Sequence, residues 1–120
     1  SKEWCWTALA SIRDFVEKSL LLRLNPKTGV WPISRGIDFV GYRHWSDHTL
    51  PRKRTVRRAK KAFKSFPGRY RAGEIDLDYI RARVVSFTGY MAHCDGWQTL
   101  DHILGRLVLT RENNEESLQN

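Results

Sequence analysis

Between residues 52 and 71 the chain carries no acidic residue, while Lys or Arg stands at 52, 53, 54, 57, 58, 60, 61, 64, 69 and 71. Like charges at this density repel one another, so such a segment folds only if it has an apolar side to bury. Val56, Ala59, Ala62 (or Phe63) and Phe66 supply that side, because residues three and four apart share one face of an α-helix. The run therefore predicts a basic amphipathic helix, ended by Pro67-Gly68, rather than a disordered tail. A helix with one greasy face needs other elements to cover it.

The chain downstream offers two. Ile75-Asp76-Leu77-Asp78 puts carboxylates at a helix start, where they cap free N–H groups and oppose the helix dipole. Leu77, Ile80, Val84, Phe87 (or Ser86) and Met91 carry that helix to about His93, and Asp95-Gly96 breaks it. Trp97, Leu100, Ile103, Leu104, Leu107 and Val108 trace one more helix, and the polar run beyond Thr110 is expected to fray.

Upstream, Ala8, Ile12, Phe15, Val16 and Leu20 predict an amphipathic helix over residues 4–22. Leu22 and Leu24 flank Arg23 as in a short strand, Asn25-Pro26-Lys27-Thr28-Gly29 reads as a loop, and Val30-Trp31 could start a second strand. Residues 37–43 read as a further strand, with Ile37 and Phe39 on one side and Asp38, Val40 and Tyr42 on the other. Gly41 interrupts it, either as a bulge or because a phosphate or sugar edge approaches the backbone there. Ser46-Asp47 marks the next turn. The fold class expected is α+β, mainly α: one helix and a small antiparallel hairpin or meander, then a three-helix bundle. The composition shift near Thr49-Leu50-Pro51 is the expected boundary between them.

With 120 residues, 41% of them hydrophobic and 28% charged, the chain is one domain or parts of two small ones, and disorder is not its default. A net charge of +8 favours polyanions, nucleic acid first among them. No apolar run is long enough to span a bilayer, and the amino end lacks the order of a signal peptide, so no membrane partner is expected. Cys5 and Cys94, far apart and without a paired motif, suggest free thiols in a reducing cytoplasm, with a single disulfide as the alternative.

Lysines and arginines on a structured helix neutralise phosphates and release counterions; a merely solvated face is the competing reading. Phe63 and Phe66 share the apolar side and read as core, while Trp45 and Tyr70 remain candidates for base stacking. His44 and His48 with His93-Cys94 have ligand chemistry but no closely paired motif, so no metal site is assigned. Asp76 and Asp78 could hold magnesium, though helix capping accounts for them more simply. Neither a nucleophilic triad nor a phosphate-cradling glycine loop is recognisable.

Leu24-Asn25-Pro26-Lys27-Thr28, then Gly36-Ile37-Asp38-Phe39-Val40-Gly41-Tyr42, then Leu50-Pro51-Arg52-Lys53-Arg54 and the basic helix together resemble the carboxy-terminal part of bacterial reverse transcriptases. The similarity is to the retron, group II intron-like and diversity-generating retroelement enzymes and covers nearly the whole chain. It implies that residues 1–50 are the end of the palm with the primer grip, 51–111 a helical thumb and 112–120 a polar tail. Phe39, Val40, Gly41 and Tyr42 would then support the primer end. Lys27 would match the palm lysine proposed as general acid toward the leaving pyrophosphate, against the plainer reading of a turn lysine. Arg52, Lys53, Arg54, Arg57, Arg58, Lys60, Lys61 and Lys64 would follow the primer-template backbone without reading its sequence.

The departure from that family concerns catalysis. Two-metal phosphoryl transfer needs the carboxylates of a Tyr-x-Asp-Asp motif, and this chain has no adjacent pair of aspartates. The resemblance therefore implies catalytic acids and Mg2+ upstream in a parent enzyme, no cofactor in this piece, and no polymerisation by the piece alone. The implied partners are an RNA template, a DNA primer, the upstream palm and fingers and an accessory protein oligomer. Apolar surface left without the palm sheet would make the isolated piece self-associate. The alternatives are a stand-alone basic helical DNA- or RNA-binding module and a protein-docking domain.

Overall fold

The structure, a computed structural model, describes residues 1–110; the polar tail expected at 112–120 lies outside the described residues. The protein is mainly helical with a small three-strand antiparallel sheet, the α+β class expected. In chain order it comprises α1 (Lys2–Ser19), a single 3₁₀ turn (Ile33–Arg35), β1 (Ile37–Phe39), β2 (Tyr42–His44), β3 (Thr49–Pro51), α2 (Lys53–Arg71), α3 (Leu77–Met91) and α4 (Trp97–Leu104). Two compact units divide after Gly36, so the sheet belongs with the three helices that follow it.

In the first unit, the Ser1 hydroxyl caps α1 by accepting from the Trp4 N–H at 3.3 Å, and Lys18 pairs with Asp14 one turn back at 2.6 Å. No residue of α1 is buried. Leu21 takes a left-handed φ of 53°, a conformation usually given to glycine, and ends the helix sharply. The strands expected at residues 22–24 and 30–31 do not form. Pro26, Gly29 and Pro32 cut the apolar stretches too short for a ladder, and the backbone closes a turn instead, with Thr28 N–H on Asn25 O at 2.8 Å.

The second unit opens with the sheet, ordered β1-β2-β3. Residues 37–43 are not one strand: the chain folds back at Val40 and Gly41, pairing Phe39 with Tyr42 and Ile37 with His44. Both loop residues have positive φ, 48° and 90°, the signature of the two-residue turn whose twist matches that of the flanking strands. Gly41 is thus required by the turn and is not a bulge. Trp45 N–H bonds His48 O at 2.9 Å to close the turn expected at Ser46-Asp47, and β3 then occupies the position of the composition shift.

Helix α2 is the basic helix, but it does not stop at Pro67-Gly68; it runs on to Arg71. Proline cannot donate to the carbonyl one turn back and costs roughly 3 kcal/mol inside a helix. Phe63, Phe66 and Tyr70 fall on one stripe across that position and are all buried, so continuing the helix keeps Tyr70 in the core. Burying aromatic side chains of this size outweighs the local penalty.

The Asp76 carboxylate caps α3, accepting from Tyr79 N–H at 2.8 Å. Ile80, Phe87 and Met91 are its buried face, whereas Leu77 is exposed, because its position precedes the first turn that packs. Helix α4 ends at Leu104 rather than at Val108, with Gly105 N–H on Asp101 O at 2.8 Å; Trp97 and Val108, expected on its apolar side, are exposed. A Cβ at Gly96 would collide with Met91 Cε and crowd Cys94 Sγ, so a larger residue at the α3–α4 corner would have to displace the buried Met91 side chain. Phe63, Phe66, Tyr70, Ile75, Leu100 and Ile103 join the α3 residues in one core. Among the described residues, no helix is long and apolar enough to cross a membrane.

Candidate nucleic-acid interface

At 100° per residue, Phe63, Phe66 and Tyr70 occupy one sector of α2, and Lys53, Arg57, Lys60 and Lys64 form a row outside it, with Arg54, Arg58 and Lys61 alongside. All of these cations and Arg52 are exposed. Among the described residues, none of the cations within α2 from Lys53 to Lys64 has an ion-pair partner, whereas Arg52 approaches the Asp38 carboxylate at 3.8 Å. From Lys53 to Lys64 the row is about 16 Å long, a length over which one nucleic-acid strand presents roughly five phosphates.

The hairpin tip lies at the head of this helix and is fixed by two tyrosines. Tyr42 stacks on Tyr90 of α3 with ring centroids 4.8 Å apart, and its hydroxyl donates to Tyr90 O at 2.8 Å. The Tyr90 hydroxyl donates to Gly41 O at 2.7 Å and accepts from Arg52 N–H at 3.1 Å. One side chain thus ties the tip to the residue that precedes α2. Partial burial, with Tyr90 and Cys94 nearby, raises the Tyr42 hydroxyl above its ordinary pKa.

Other contacts lock the sheet in the same way. Asp38 on β1 faces Arg43 on β2 across the ladder, their charged groups 3.6 Å apart. His44 Nε2 lies 3.1 Å from Phe39 O, and a carbonyl only accepts, so this nitrogen carries a proton and Nδ1 accepts from Thr49 Oγ1 at 3.2 Å. Asp95 binds β3 twice: its carboxylate accepts from Thr49 N–H at 2.9 Å and its own N–H donates to Thr49 O at 2.8 Å. What remains free at the tip is apolar: Phe39 and Val40 are 65% and 71% exposed.

Of the residues expected to form a site, Phe39, Val40, Gly41 and Tyr42 gather in the hairpin, and the eight cations gather on and just before α2. Lys27 belongs to the other unit, where its N–H donates to the Asn25 carboxamide at 2.9 Å and its side chain is exposed, as in a turn lysine. Tyr70 is in the core and is no stacking platform. Trp45 stacks on His48 at 4.5 Å, and His48 engages Asp47 at 2.7 Å, which holds that carboxyl below its ordinary pKa. Among the described residues no group of three or more His, Cys, Asp or Glu side chains could hold a metal, and Asp76 is spent as a cap.

Two participants were not anticipated from sequence. Arg83 of α3 lines a shallow α2–α3 cleft of about 240 Å³ together with Arg58, and Tyr90 holds the hairpin. Each joins residues at least 25 positions away, where no spacing rule applies. In comparisons with known proteins, no family model, no curated protein and no solved structure matches the chain.

Proposed function

We propose that the chain holds the primer-template duplex of an RNA-directed DNA polymerase: the end of a palm with its primer grip, followed by a thumb. The observation that carries this reading is the continuity of the tyrosine-clamped tip with the cationic row of α2, which offers one surface for a strand end and its following phosphates. Contacts of this kind grip a backbone and do not read bases. The metal-binding carboxylates of such a cytoplasmic polymerase are assigned to the parent enzyme, since this sequence has no adjacent aspartates. Lys27 keeps, within this reading, the role of a candidate proton donor.

The test is binding of the chain to an RNA–DNA hybrid, a DNA duplex and a single strand across a salt series. Four phosphate contacts give a slope of log K against log salt of about −3 to −4, with the hybrid preferred and little dependence on its sequence. Changing Arg57, Arg58, Lys60 and Lys61 together to Ala should roughly halve that slope and weaken binding tenfold or more. Unchanged affinity in that variant sinks the reading, and strong discrimination among DNA sequences turns it toward a stand-alone regulator. The exposed Trp4, Ile12 and Phe15 of α1 also support self-association of the isolated chain, which a monodisperse monomer in light scattering contradicts.

A further inference from the structure

The groove between α2 and α4 differs from the outer basic row in having a floor. Lys60, Lys64 and Arg106 stand around Phe63, Ile103 and Leu107, enclosing about 380 Å³. Among the described residues, every charged side chain lining this groove is a cation, and His102 adds a further polar group. A phosphodiester backbone has no aliphatic surface to match such a floor. Nucleobases need an exposed aromatic plane, and Phe63, at 5% exposure, offers too little ring surface for one to stack on. An occupant that satisfies floor and rim together combines aliphatic side chains with carboxylates.

Length narrows the choice. Along α2 the groove runs from Lys60 to Pro67, about 10 Å, which is the span from i to i+7 on a docked helix. Its volume of about 380 Å³ accepts a few anchoring side chains. We infer that the α2–α4 groove binds a short acidic amphipathic helix of a protein partner, its aliphatic anchors on Phe63, Ile103 and Leu107 and its carboxylates on Lys60, Lys64 and Arg106. The groove shares Lys60 and Lys64 with the duplex-holding row, whereas Arg106, which follows α4, lies outside that row.

The experiment uses the whole chain and a fluorescent helical peptide of about 14 residues with Leu at i, i+4 and i+7 and Glu beside them. Anisotropy should show saturable binding in the micromolar range at about 0.15 M salt. Arg106→Glu should weaken it about tenfold while leaving hybrid binding within about twofold. The same peptide with Leu changed to Ser should not bind. Since Arg106 is exposed, an unchanged urea midpoint certifies the fold of the variant. Absence of peptide binding, equal binding of the Ser peptide, or indifference to Arg106→Glu each overturns the inference. So does a single strand of about 10 nucleotides whose binding is the one lost in Arg106→Glu, because the groove then belongs to nucleic acid.

Discussion

Helices α1 and α2 are almost equal in length, 18 and 19 residues, and both repeat apolar side chains at helical spacing, yet they end in opposite states. Phe15 of α1 is 58% exposed, whereas Phe66 of α2 is 1% exposed. The difference does not lie in the presence of an apolar stripe, which both helices have, though it is sharper in α2. It lies in what each unit supplies as cover: α2 is followed by α3 and α4, while the unit containing α1 holds only turns and a 3₁₀ segment besides. Periodicity names the face of a helix that is ready to be buried, and a neighbour decides whether it is. A helix without cover carries its apolar face as an interaction surface.

The sharpest way to break this contrast is to truncate one phenylalanine in each helix. Phe66→Ala should cost about 3–5 kcal/mol in urea unfolding, because the ring is fully enclosed and touches Phe63 and Tyr79. Phe15→Ala, measured in dilute solution, should change stability by about 0.5 kcal/mol or less. Equal losses would mean that α1 is covered after all, and the contrast would fail.

That contrast also explains what the sequence disclosed. The helices from residue 53 onward, their order and most of their buried residues were legible because Phe63, Phe66, Ile80, Met91, Leu100 and Ile103 recur at helical spacing over long stretches. The end of α2 was not, since Pro67 is a local stop signal that tertiary packing of Tyr70 overrides. The hairpin was misread as one strand because Val40 gives no sign of a turn: a β-branched residue at positive φ is rare. Of the candidate interface, the cations were visible in the composition of one segment. Tyr90 and Arg83 were not, because partnership across dozens of residues leaves no trace in local spacing.

Two substitutions of opposite sign test the clamp that joins the hairpin to the helical core. Tyr90→Phe keeps the ring stack and removes the hydroxyl that serves Gly41 O and Arg52 N–H, at an expected cost of about 1–3 kcal/mol. Val40→Asn places Asn-Gly, the favoured pair for this turn, where a valine is held at φ 48°, and should stabilise by about 0.5–1 kcal/mol. Calorimetric melting reads both. If Val40→Asn melts lower, the exposed valine makes contacts that outweigh its strain, and the tip is less free than its 71% exposure indicates.

The smallest effect reads both units in one experiment, since each holds one free thiol, Cys5 and Cys94. Burial, and then the adjacent Asp95 carboxylate, push the Cys94 thiol above its ordinary 9.0. Less thiolate is therefore present at pH 8, and Cys94 should alkylate severalfold more slowly than a free cysteine. Because the raised value belongs to the folded state, the linked stability is complete below pH 9 and is lost as pH rises through the folded pKa. The Tyr42 hydroxyl, also raised from 10.0, extends that loss to higher pH. Mass-spectrometric alkylation in increasing urea should show Cys94 accelerating at the unfolding midpoint of the helical core. Cys5, on a helix with no buried residue, should cross that midpoint with little change. A simultaneous jump at both thiols would show that the two units unfold as one, and the different burial of α1 and α2 would then not correspond to a difference in stability.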